Sequence, residues 1–380
     1  MNVNRYAAII LAAGMSTRLG RFKPLLSVGD QTMTDRVISI FQKNGIDTIL
    51  VTGWRNEELL AGIAMKNATV VYNPDFKEGM FTSVRAGLKS LKTDCLAVFL
   101  MPVDIPLVRP FTIHRILDIA RNQHNKIIYP VFGRKRGHPP LIPTTLVSDI
   151  LKMSKDITLR DALKKYESAA IEVSVPDGNI LFDVDSPEDY EKLLEQLERY
   201  GIPTKEECKI ALKNVIGISP ELLRHSYKVA QIALVIARSL LKVGIRLNME
   251  AVYAGALLHD IAKGQPNHAY AGACILQELG FSGIDDIVAM HMNLPANLQA
   301  VPLENKIVYL ADKYVKGRRL VPLEQHFESS IRRFGNINDV KNKIGLRLCQ
   351  TMAVRMEIEE MISSSIWDKL VKNKNVKAIL

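Results

Sequence analysis

The pattern of apolar segments changes once along the chain, and this change constrains the fold more than any other feature. Up to Pro187, short apolar runs that suit buried strands, such as residues 7–11 and 95–101, alternate with segments of helical periodicity. A further apolar run at 181–184 is expected to complete the sheet. Beyond Pro187 nearly every segment is typical of a helix. Because strands that alternate with helices form a parallel sheet, we expect an α/β first half and an all-α second half.

A short turn-rich stretch at 201–204 separates the two patterns. Its sequence, GIPT, contains Gly and Pro, the residues that most strongly interrupt helices and strands. A chain of 380 residues is also long for one compact core. We therefore expect one domain at 1–200, a second at 205–320, and a helical extension at 321–380.

Charge and cysteine usage narrow the class of protein. The formal net charge is +10, but the basic residues are dispersed, and anionic phosphate substrates account for such a surplus as well as nucleic acid does. The four cysteines lie far apart, which fits a reducing cytoplasm. No apolar run is long enough to cross a bilayer. We expect a cytoplasmic enzyme with neither a nucleic-acid nor a membrane partner.

The loop that follows the first apolar run holds the first group of candidate site residues. A Gly-containing loop at this place can direct backbone N–H groups toward the phosphates of a nucleotide. Arg18 and Lys23, further along the same loop, would add charge-assisted contacts to those phosphates. Taken by itself, the loop could also be a turn with solvated basic residues. The loop residues are Leu11, Ala12, Ala13 and Gly14.

Two aspartates supply candidate metal ligands. Asp104 comes after the apolar run at 95–101, where we expect the carboxyl edge of the sheet, and a carboxylate there can hold Mg²⁺ beside phosphates. Asp104 could also be a turn residue that caps the next segment. Asp185 lies in a strand-to-helix turn before Ser186, so it could complete the metal site or cap the following helix.

Five motifs, in this order, resemble the MobA-like nucleotidyltransferase family. That family has a Rossmann-like fold of the GT-A type and transfers a nucleotidyl group from a nucleoside triphosphate with Mg²⁺. Ala13 and Gly14 stand where guanylyl-transferring relatives have two glycines, so the resemblance favours CTP as donor and a molybdopterin-type phosphate as acceptor. The motifs are LAAGMSTRLGRFKPLL at 11–26, NPDFKEGMFTSV at 73–84, PVDIPLV at 102–108, RGHPPLI at 136–142 and DVDSPEDY at 183–190.

The resemblance implies roles for individual residues. The nucleotide would lie on the loop at 11–14, with Arg18 and Lys23 on its triphosphate and Mg²⁺ on Asp104 and Asp185. His138 would face the acceptor, although a structural role in its turn is equally open. Positioning and charge neutralisation would supply most of the acceleration when the acceptor phosphate attacks CTP and expels pyrophosphate. Positions that match base and ribose contacts in relatives are Thr52, Gly53, Gly79 and Ser83.

The helical half contains a second group of candidate residues, four histidines and two aspartates. His259 and Asp260 are adjacent, near the end of a helix expected at 250–262. Adjacent residues of a helix point in different directions, so this pair could serve two metals or hold one bridging carboxylate. Mixed imidazole and carboxylate ligands suit Fe, Mn or Zn rather than Ca²⁺. The six residues are His225, His259, Asp260, His268, His291 and Asp312.

This half resembles an HD-domain phosphohydrolase over about residues 220–319. The resemblance implies that Asp260 bridges two metals, one shared with His225, His259 and Asp312, the other with His268 and His291. Two metals would activate water and clamp a phosphate ester or anhydride for in-line attack. Lys263 would contact phosphate, unless it only complements a helix dipole. The same ligands would also serve a regulatory pocket, and a nucleotide, a dinucleotide or a pterin-linked phosphate all remain open as substrate.

Two other functions fit parts of the sequence. A nucleotidyltransferase with a sugar- or polyol-phosphate acceptor would keep the nucleotide site, but the RGHPP turn is similar to that of cofactor-synthesising relatives. A nucleotide-binding regulator, or a cofactor-delivery partner of a molybdoenzyme, would need no catalysis. Against it, Lys23, Arg18, Asp104 and all six metal-ligand candidates are present.

Overall fold

The computed structural model describes residues 6–64, 67–154, 156–334 and 338–373. The chain divides into two compact units, residues 1–200 and 201–380. The finer division at 205–320 and 321–380 stays a prediction, and residues 335–337 and 374–380 of the expected extension lie outside the described residues. None of the described helices combines the length and the apolar content that crossing a membrane requires.

The first unit is built on an eight-stranded mixed sheet. Its strands are β1 (Tyr6–Leu11), β2 (Ser27–Val28), β3 (Gln31–Thr32), β4 (Asp47–Thr52), β5 (Thr69–Tyr72), β6 (Ala97–Pro102), β7 (Ile128–Phe132), β8 (Lys135–Arg136), β9 (Leu141–Pro143) and β10 (Ile171–Ser174), of which β2 and β3 form a separate hairpin. Its helices are α1 (Met33–Gln42), α2 (Asn56–Gly62), α3 (Met80–Lys89), α4 (Pro110–Ala120), α5 (Val147–Lys152), α6 (Leu159–Lys164) and α7 (Pro187–Glu198).

The strand order is β10-β7-β9-β6-β1-β4-β5, with β8 paired to β7. β1 pairs in parallel with both β4 and β6, whereas β9 runs antiparallel to β6 and β7. The expected α/β architecture is confirmed, but the sheet is mixed rather than wholly parallel. The reason is the tight turn between β7 and β8, which reverses the chain, and β9 continues in the direction of β8, so it runs antiparallel to β7.

Alternate side chains of β1 enter two separate hydrophobic cores. Ala8 and Ile10 belong to one core, which also contains Phe41 of α1, whereas Ile9 and Leu11 belong to the other. Successive residues of a strand point to opposite faces, so both faces of the sheet are covered. The continuous apolar run of the first strand is the pattern that such double coverage requires.

The strand expected at 181–184 is absent from the described fold, and that prediction was wrong. A 3₁₀ turn occupies Gly178–Leu181, and the next residues run without regular structure. The carbonyl of Ile180 accepts from the amide of His138, while the amide of Val184 donates to the carbonyl of Asp104. The segment is thus bonded to two different loops instead of one strand. The sheet is completed at this edge by β10.

The second unit, where it is described, is helical apart from one short hairpin, which confirms the expected all-α half. α10 and α13 pack against the 23-residue helix α9. The helices are α8 (Lys205–Ile210), α9 (Pro220–Lys242), α10 (Met249–Leu258), α11 (His268–Glu278), α12 (Asp285–Met290), α13 (Leu303–Lys313), α14 (Leu323–Phe334), α15 (Asn338–Ile362) and α16 (Ile366–Lys372). A π-helical turn follows α8 at Ala211–Ile216, and the hairpin consists of β11 (Val315–Lys316) and β12 (Arg319–Leu320).

Candidate active sites

The ammonium group of Lys23 lies between two carboxylates in the first unit. Its Nζ donates to Asp104 Oδ2 at 3.1 Å and to Asp185 Oδ1 at 2.9 Å. Burial by itself would lower the pKa of Lys23, but the charges and hydrogen bonds of the two aspartates outweigh it and raise that pKa. The hydrogen bond from Lys23 in turn lowers the pKa of Asp185. Arg18, whose side chain is 81% exposed, adds a contact of 3.1 Å to Asp185.

Three separate segments bring this cluster together. Lys23 begins the 3₁₀ turn Lys23–Leu25 after the glycine loop, and Asp104 follows the carboxyl end of β6. The hydrogen bond from Val184 to the carbonyl of Asp104, at 3.0 Å, holds Asp185 beside it. Ser186, and not Asp185, caps α7. The carboxylate of Asp185 therefore faces the cluster and leaves the capping role to its neighbour.

A cavity of about 160 Å³ adjoins this cluster. The predicted residues in its wall are Leu11, Ala12, Ala13, Gly14, Lys23, Ser83 and Asp104. Sequence reasoning missed Ser16, Pro24, Phe76, Met80, Pro102 and Val103. Phe76 and Met80 lie inside the NPDFKEGMFTSV motif, so the motif was the available signal for both. The glycine loop and the end of β6 thus form one concave surface at the carboxyl edge of the sheet, the usual place for a ligand in open α/β folds.

Gly53 lies where the glycine loop and the Phe76 segment meet. A Cβ atom at Gly53 would be 2.9 Å from Cβ of Ala13 and 2.7 Å from Cβ of Phe76, so only glycine fits this approach. Gly53 also contributes to a second cavity of about 530 Å³, whose wall includes the exposed rings of Trp54 and Tyr72.

Thr52 and Gly79 were also predicted to contact the nucleotide. The hydroxyl of Thr52 is buried and donates to Asn56 Oδ1 at 2.6 Å. Gly79 precedes α3 with a φ of 112°, a backbone conformation that favours glycine. Within the described chain neither residue is part of the 160 Å³ cavity wall, so both contacts stay predictions.

Asn73 is a buried residue that sequence reasoning missed. Its Nδ2 donates to the hydroxyls of Thr82 and Ser83, both at 2.9 Å, and its own amide donates to the carbonyl of Thr52. Asn73 therefore fixes Ser83 in the cavity wall. Its place at the start of the NPDFKEGMFTSV motif was the available signal.

His138 lies in the turn after β8. The amide of His138 bonds to the carbonyl of Ile180, and a Cβ at Gly137 would be 2.5 Å from that carbonyl oxygen, which explains the glycine of the RGHPP turn. Burial lowers the pKa of His138, and the charge of Asp104 only partly offsets this. Nδ1 of His138 has no hydrogen-bond partner among the described residues. Its role toward an acceptor stays a prediction.

In the second unit the carboxylate of Asp260 lies between two pairs of histidines. Its Oδ2 is 3.8 Å from Nε2 of His225 and 3.5 Å from Nε2 of His259. Its Oδ1 is 3.2 Å from Nε2 of His268 and 3.4 Å from Nε2 of His291. The arrangement provides two groups that could hold a metal ion, and they share Asp260.

Asp312 completes the first of these groups. Its Oδ1 is 3.3 Å from Nε2 of His225 and 3.5 Å from Nε2 of His259. The structure therefore brings together all six residues that the HD resemblance implied. Their role as ligands stays a prediction.

Backbone carbonyls orient three of the imidazole rings. Nδ1 of His225 bonds to the carbonyl of Gly317 at 2.7 Å, and Nδ1 of His259 and of His291 bond to carbonyls three residues earlier, at 2.8 and 2.6 Å. A ring that donates its Nδ1 proton to a carbonyl presents the Nε2 lone pair, as metal-binding histidines do. Nε2 of the fully buried His259 makes no hydrogen bond to any described residue, which fits a ligand position.

The electrostatics of the cluster also suit a cation. Burial lowers the pKa of His259, but Asp260 and Asp312 outweigh this effect and raise that pKa to about 10. Burial lowers the pKa values of His268 and His291, which favours their neutral, ligating form. Although burial raises the pKa of Asp260, the neighbouring imidazoles of His259 and His291 lower it by more, so the carboxylate stays ionised.

The helix expected at 250–262 ends earlier, at Leu258, and that prediction was wrong. Nδ1 of His259 bonds to the carbonyl of Ala256, which in a continuing helix would accept a hydrogen bond from the amide of residue 260. Asp260 therefore lies in a turn rather than on the helix. This break allows two adjacent side chains to face one site, which a regular helix would prevent.

Two lysines contact the acidic residues of the cluster. Nζ of Lys263 is 3.0 Å from Oδ2 of Asp260, at the rim of an adjoining cavity. Sequence reasoning missed Lys313, whose buried Nζ donates to Asp312 Oδ2 at 2.7 Å and to the carbonyl of His291 at 3.1 Å. Lys313 occupies the oxygen of Asp312 that faces away from the histidines. A lysine directly after Asp312 in an apolar helix was the available signal.

Comparison with known proteins finds a matching family model in each half of the chain. The model of the MobA-like NTP transferase domain matches residues 8–170, and that of the HD domain matches residues 222–316. The molybdenum cofactor cytidylyltransferase of Escherichia coli K12 is 30% identical over 183 residues, which cover 48% of this chain and 92% of that protein. The chain belongs to the MobA-like nucleotidyltransferase family. An HD domain follows the transferase domain in the same chain.

Other relatives share the transferase part. The probable molybdenum cofactor guanylyltransferase of Bacillus cereus AH187 is 23% identical over 135 residues, covering 35% of this chain and 66% of that protein. The crystal structure of Rv0371c from Mycobacterium tuberculosis H37Rv is 28% identical with a TM-score of 0.47, covering 51% of this chain and 100% of that one.

Proposed function

We propose that residues 1–200 transfer the cytidylyl group of CTP to the phosphate of a molybdopterin-type acceptor. The observation that carries the proposal is the cluster in which Lys23 lies between Asp104 and Asp185, beside a cavity lined by the glycine loop. Two carboxylates at the carboxyl edge of a sheet are the ligands that Mg²⁺ prefers near phosphates, and the ion would offset phosphate charge.

The reaction is an exchange of phosphorus–oxygen bonds. An oxygen of the acceptor phosphate attacks the α-phosphorus of CTP, the bond to the β-phosphate breaks, and pyrophosphate leaves with the bonding electrons. Asp104 and Asp185 would hold the divalent cation, and the positive charges of Lys23 and Arg18 would offset charge on the triphosphate. The glycine loop orients the nucleotide through its backbone N–H groups.

The preference for CTP rests on two observations. Ala13 lies in the wall of the cavity, and on the family resemblance guanylyl-transferring relatives have glycine at this position. The Escherichia coli relative, named a cytidylyltransferase, shares more identity with the chain than does the probable guanylyltransferase of Bacillus cereus. Both observations favour a pyrimidine over a purine.

Transfer of a radiolabelled α-phosphate tests this proposal. CTP, GTP and ATP are each offered with molybdopterin and Mg²⁺ to the wild type, to Asp104→Ala and to the matched variant Asp118→Ala, which lacks a carboxylate on α4. We expect CTP-dependent transfer that Asp104→Ala lowers by about 10²–10³-fold and that Asp118→Ala leaves intact. Nucleotide binding without transfer from any triphosphate would contradict the proposal, and sugar phosphates would then be the acceptors to test.

We also propose that residues 201–380 form a metal-dependent phosphohydrolase that uses Fe, Mn or Zn. The observation that carries this proposal is the carboxylate of Asp260 shared by two groups of histidines. Metal ions there would polarise a phosphate and activate water. The chain's own contribution is to orient the imidazoles through backbone carbonyls and to hold Asp312 in place through Lys313.

Hydrolysis of p-nitrophenyl phosphate tests the second proposal. We expect chelation to abolish the activity, Mn²⁺ to restore it, and His259→Ala to lack it, whereas the exposed His124→Ala keeps it. Metal content measured by mass spectrometry accompanies each assay. Activity that survives His259→Ala, or a metal-loaded wild type with no hydrolysis, would contradict a catalytic HD site and favour a regulatory one.

A further inference from the structure

A cavity of about 720 Å³ opens beside the histidine cluster of the second unit. His225 and Asp260 are part of its wall, so the cavity is continuous with the proposed catalytic groups. The rest of the wall comes from the segment that leads into α9, from the turn after α10, and from Gly317 between β11 and β12. Sites for whole organic ligands measure about 300–1,000 Å³. The cavity is therefore sized for much more than a phosphate group.

The wall of this cavity combines charged and apolar groups. The ammonium group of Lys263 lies next to the Asp260 carboxylate, 3.0 Å away, where a second phosphate would adjoin the first. The wall also includes the apolar side chains of Ile218, Leu222 and Ile261. An apolar surface suits a base or another ring system and offers nothing to a bare inorganic ion.

The charges of the wall limit the number of phosphates. Apart from the cluster residues, the charged side chains among the described wall residues are those of Lys263 and Glu221, which carry opposite signs. A chain of three or more phosphates carries several negative charges and calls for several cations. A single lysine beside the metal-binding cluster provides charge for a ligand in which two phosphates are linked.

We infer that the cavity binds a pyrophosphate diester, a molecule in which two organic groups are joined through two phosphates, and that the HD cluster hydrolyses its P–O–P bond. This inference rests on the proposed functions of both units. The oxygen of water attacks one phosphorus, the bond to the bridging oxygen breaks, and the second phosphate leaves. The two protons of water are divided between the products and solvent, and two phosphomonoesters result.

The inference also gives the HD reaction a place in a sequence of reactions. Nucleotidyl transfer from CTP to a phosphate acceptor makes a pyrophosphate diester, and this is the proposed product of residues 1–200. A nucleotidyltransferase reaction is therefore the class that supplies the substrate. Hydrolysis of this diester at the HD cluster would return the acceptor phosphate and CMP. The second unit would therefore limit or reverse the accumulation of the first unit's product.

The experiment compares a pyrophosphate diester with a small anhydride. CDP-choline and inorganic pyrophosphate are offered with Mn²⁺ to the full-length wild type, to Leu222→Trp and to Leu241→Trp. Leu241 is an exposed residue on the same helix, outside the cavity wall, so its variant controls for the added indole. Calorimetric titration of each protein with CDP-choline, with Ca²⁺ present in place of Mn²⁺, measures binding separately from turnover.

We expect the wild type to convert CDP-choline to CMP and phosphocholine. Leu222→Trp should lower kcat/KM for CDP-choline about tenfold more than that for pyrophosphate, because the indole fills space that the organic group needs. It should also weaken binding in calorimetry, and Leu241→Trp should change neither quantity. If Leu222→Trp fails to fold by circular dichroism, Ile218→Phe provides a second obstruction of the same wall.

Two results would overturn the inference, and they are distinguishable. In the first result, the protein hydrolyses pyrophosphate and p-nitrophenyl phosphate but not CDP-choline, or it hydrolyses CDP-choline and the cavity variants have no selective effect. The second unit would then be a phosphohydrolase whose substrate does not occupy the cavity. A metal-loaded protein that hydrolyses none of the three compounds would contradict the proposed phosphohydrolase itself.

Discussion

Replacement of Lys23 by Met tests how the transferase site manages its charges. The ammonium group lies 3.1 Å from Asp104 and 2.9 Å from Asp185, and the Lys23 side chain is only 11% exposed. At about 3 Å, each pair is worth roughly 5 kcal/mol in a medium of intermediate dielectric constant, before the cost of desolvation. Asp185 is 43% exposed, so solvent screens its share. We expect a net loss of about 2–3 kcal/mol in the free energy of unfolding.

The same variant has two opposite effects on function. Without the ammonium group the two carboxylates face each other with no cation between them, so Mg²⁺ should bind the nucleotide-free protein about tenfold more tightly. The triphosphate loses a positively charged partner, so kcat/KM for cytidylyl transfer should fall about 10²–10³-fold. Calorimetry with Mg²⁺ and the radiolabel transfer assay measure the two effects. If Lys23 served folding alone, its replacement would not raise the affinity of the protein for Mg²⁺.

Lys92→Met is the matched control, because Lys92 pairs with Asp47 at the surface and its side chain is 73% exposed. It should change neither Mg²⁺ affinity nor transfer. If Lys23→Met keeps kcat/KM for cytidylyl transfer within about threefold of the wild type, or binds Mg²⁺ with unchanged affinity, then Lys23 does not contact both the carboxylates and the triphosphate as we propose.

Three further substitutions have expected outcomes. Gly53→Ala places a Cβ 2.7 Å from Cβ of Phe76, so the free energy of unfolding should fall by about 1–3 kcal/mol and calorimetry should show weaker CTP binding. Asp177→Ala removes a fully buried carboxylate that accepts hydrogen bonds from Thr112 and from two backbone amides, so denaturant titration should show a loss of about 3–5 kcal/mol. Asp260→Ala removes the carboxylate that both histidine groups share, so bound Mn²⁺ in mass spectrometry should fall from about two ions per chain toward none.

Each of these substitutions has a control within the chain. A Cβ at Gly14 meets no atom within 4 Å, so Gly14→Ala should leave the free energy of unfolding nearly unchanged. Asp149→Ala removes an exposed carboxylate on α5 and should cost far less than Asp177→Ala. Asp285→Ala, at the start of α12, should leave the metal content unchanged. Equal effects in a variant and its control would contradict the corresponding prediction.

The sequence predicted the elements of the fold better than their connections. The apolar runs of β1 and β6 predicted buried strands correctly, because strands covered on both faces are apolar throughout. The antiparallel β9 was not predicted, since three residues carry too little periodicity to indicate a strand direction. The run at 181–184 has the composition of a strand, yet the amide of Val184 bonds to the carbonyl of Asp104, and the carbonyl of the residue before the run, Ile180, bonds to the amide of His138. Long-range hydrogen bonds of this kind leave no mark in a local pattern.

The two sites differ in what could be predicted. Motifs indicated Lys23, Asp104 and Asp185, but the contacts between them join residues 81 and 162 positions apart, so the place of the ammonium group between the carboxylates follows only from the fold. In the second unit the placement of histidines on successive expected helices, together with the HD resemblance, indicated all six cluster residues. The direction of Asp260 was not predictable, because it depends on where α10 ends. Lys313 was missed because its second partner beside Asp312, the carbonyl of His291, lies on the backbone of another segment.

Two separate active sites in one chain are the central claim, and crossed substitutions test it most directly. Asp104→Asn and Asp260→Asn are each assayed for cytidylyl transfer with Mg²⁺ and for p-nitrophenyl phosphate hydrolysis with Mn²⁺. We predict that Asp104→Asn loses transfer and keeps hydrolysis, whereas Asp260→Asn keeps transfer and loses hydrolysis. Either substitution abolishing both activities in a folded protein, or affecting neither, would contradict the claim.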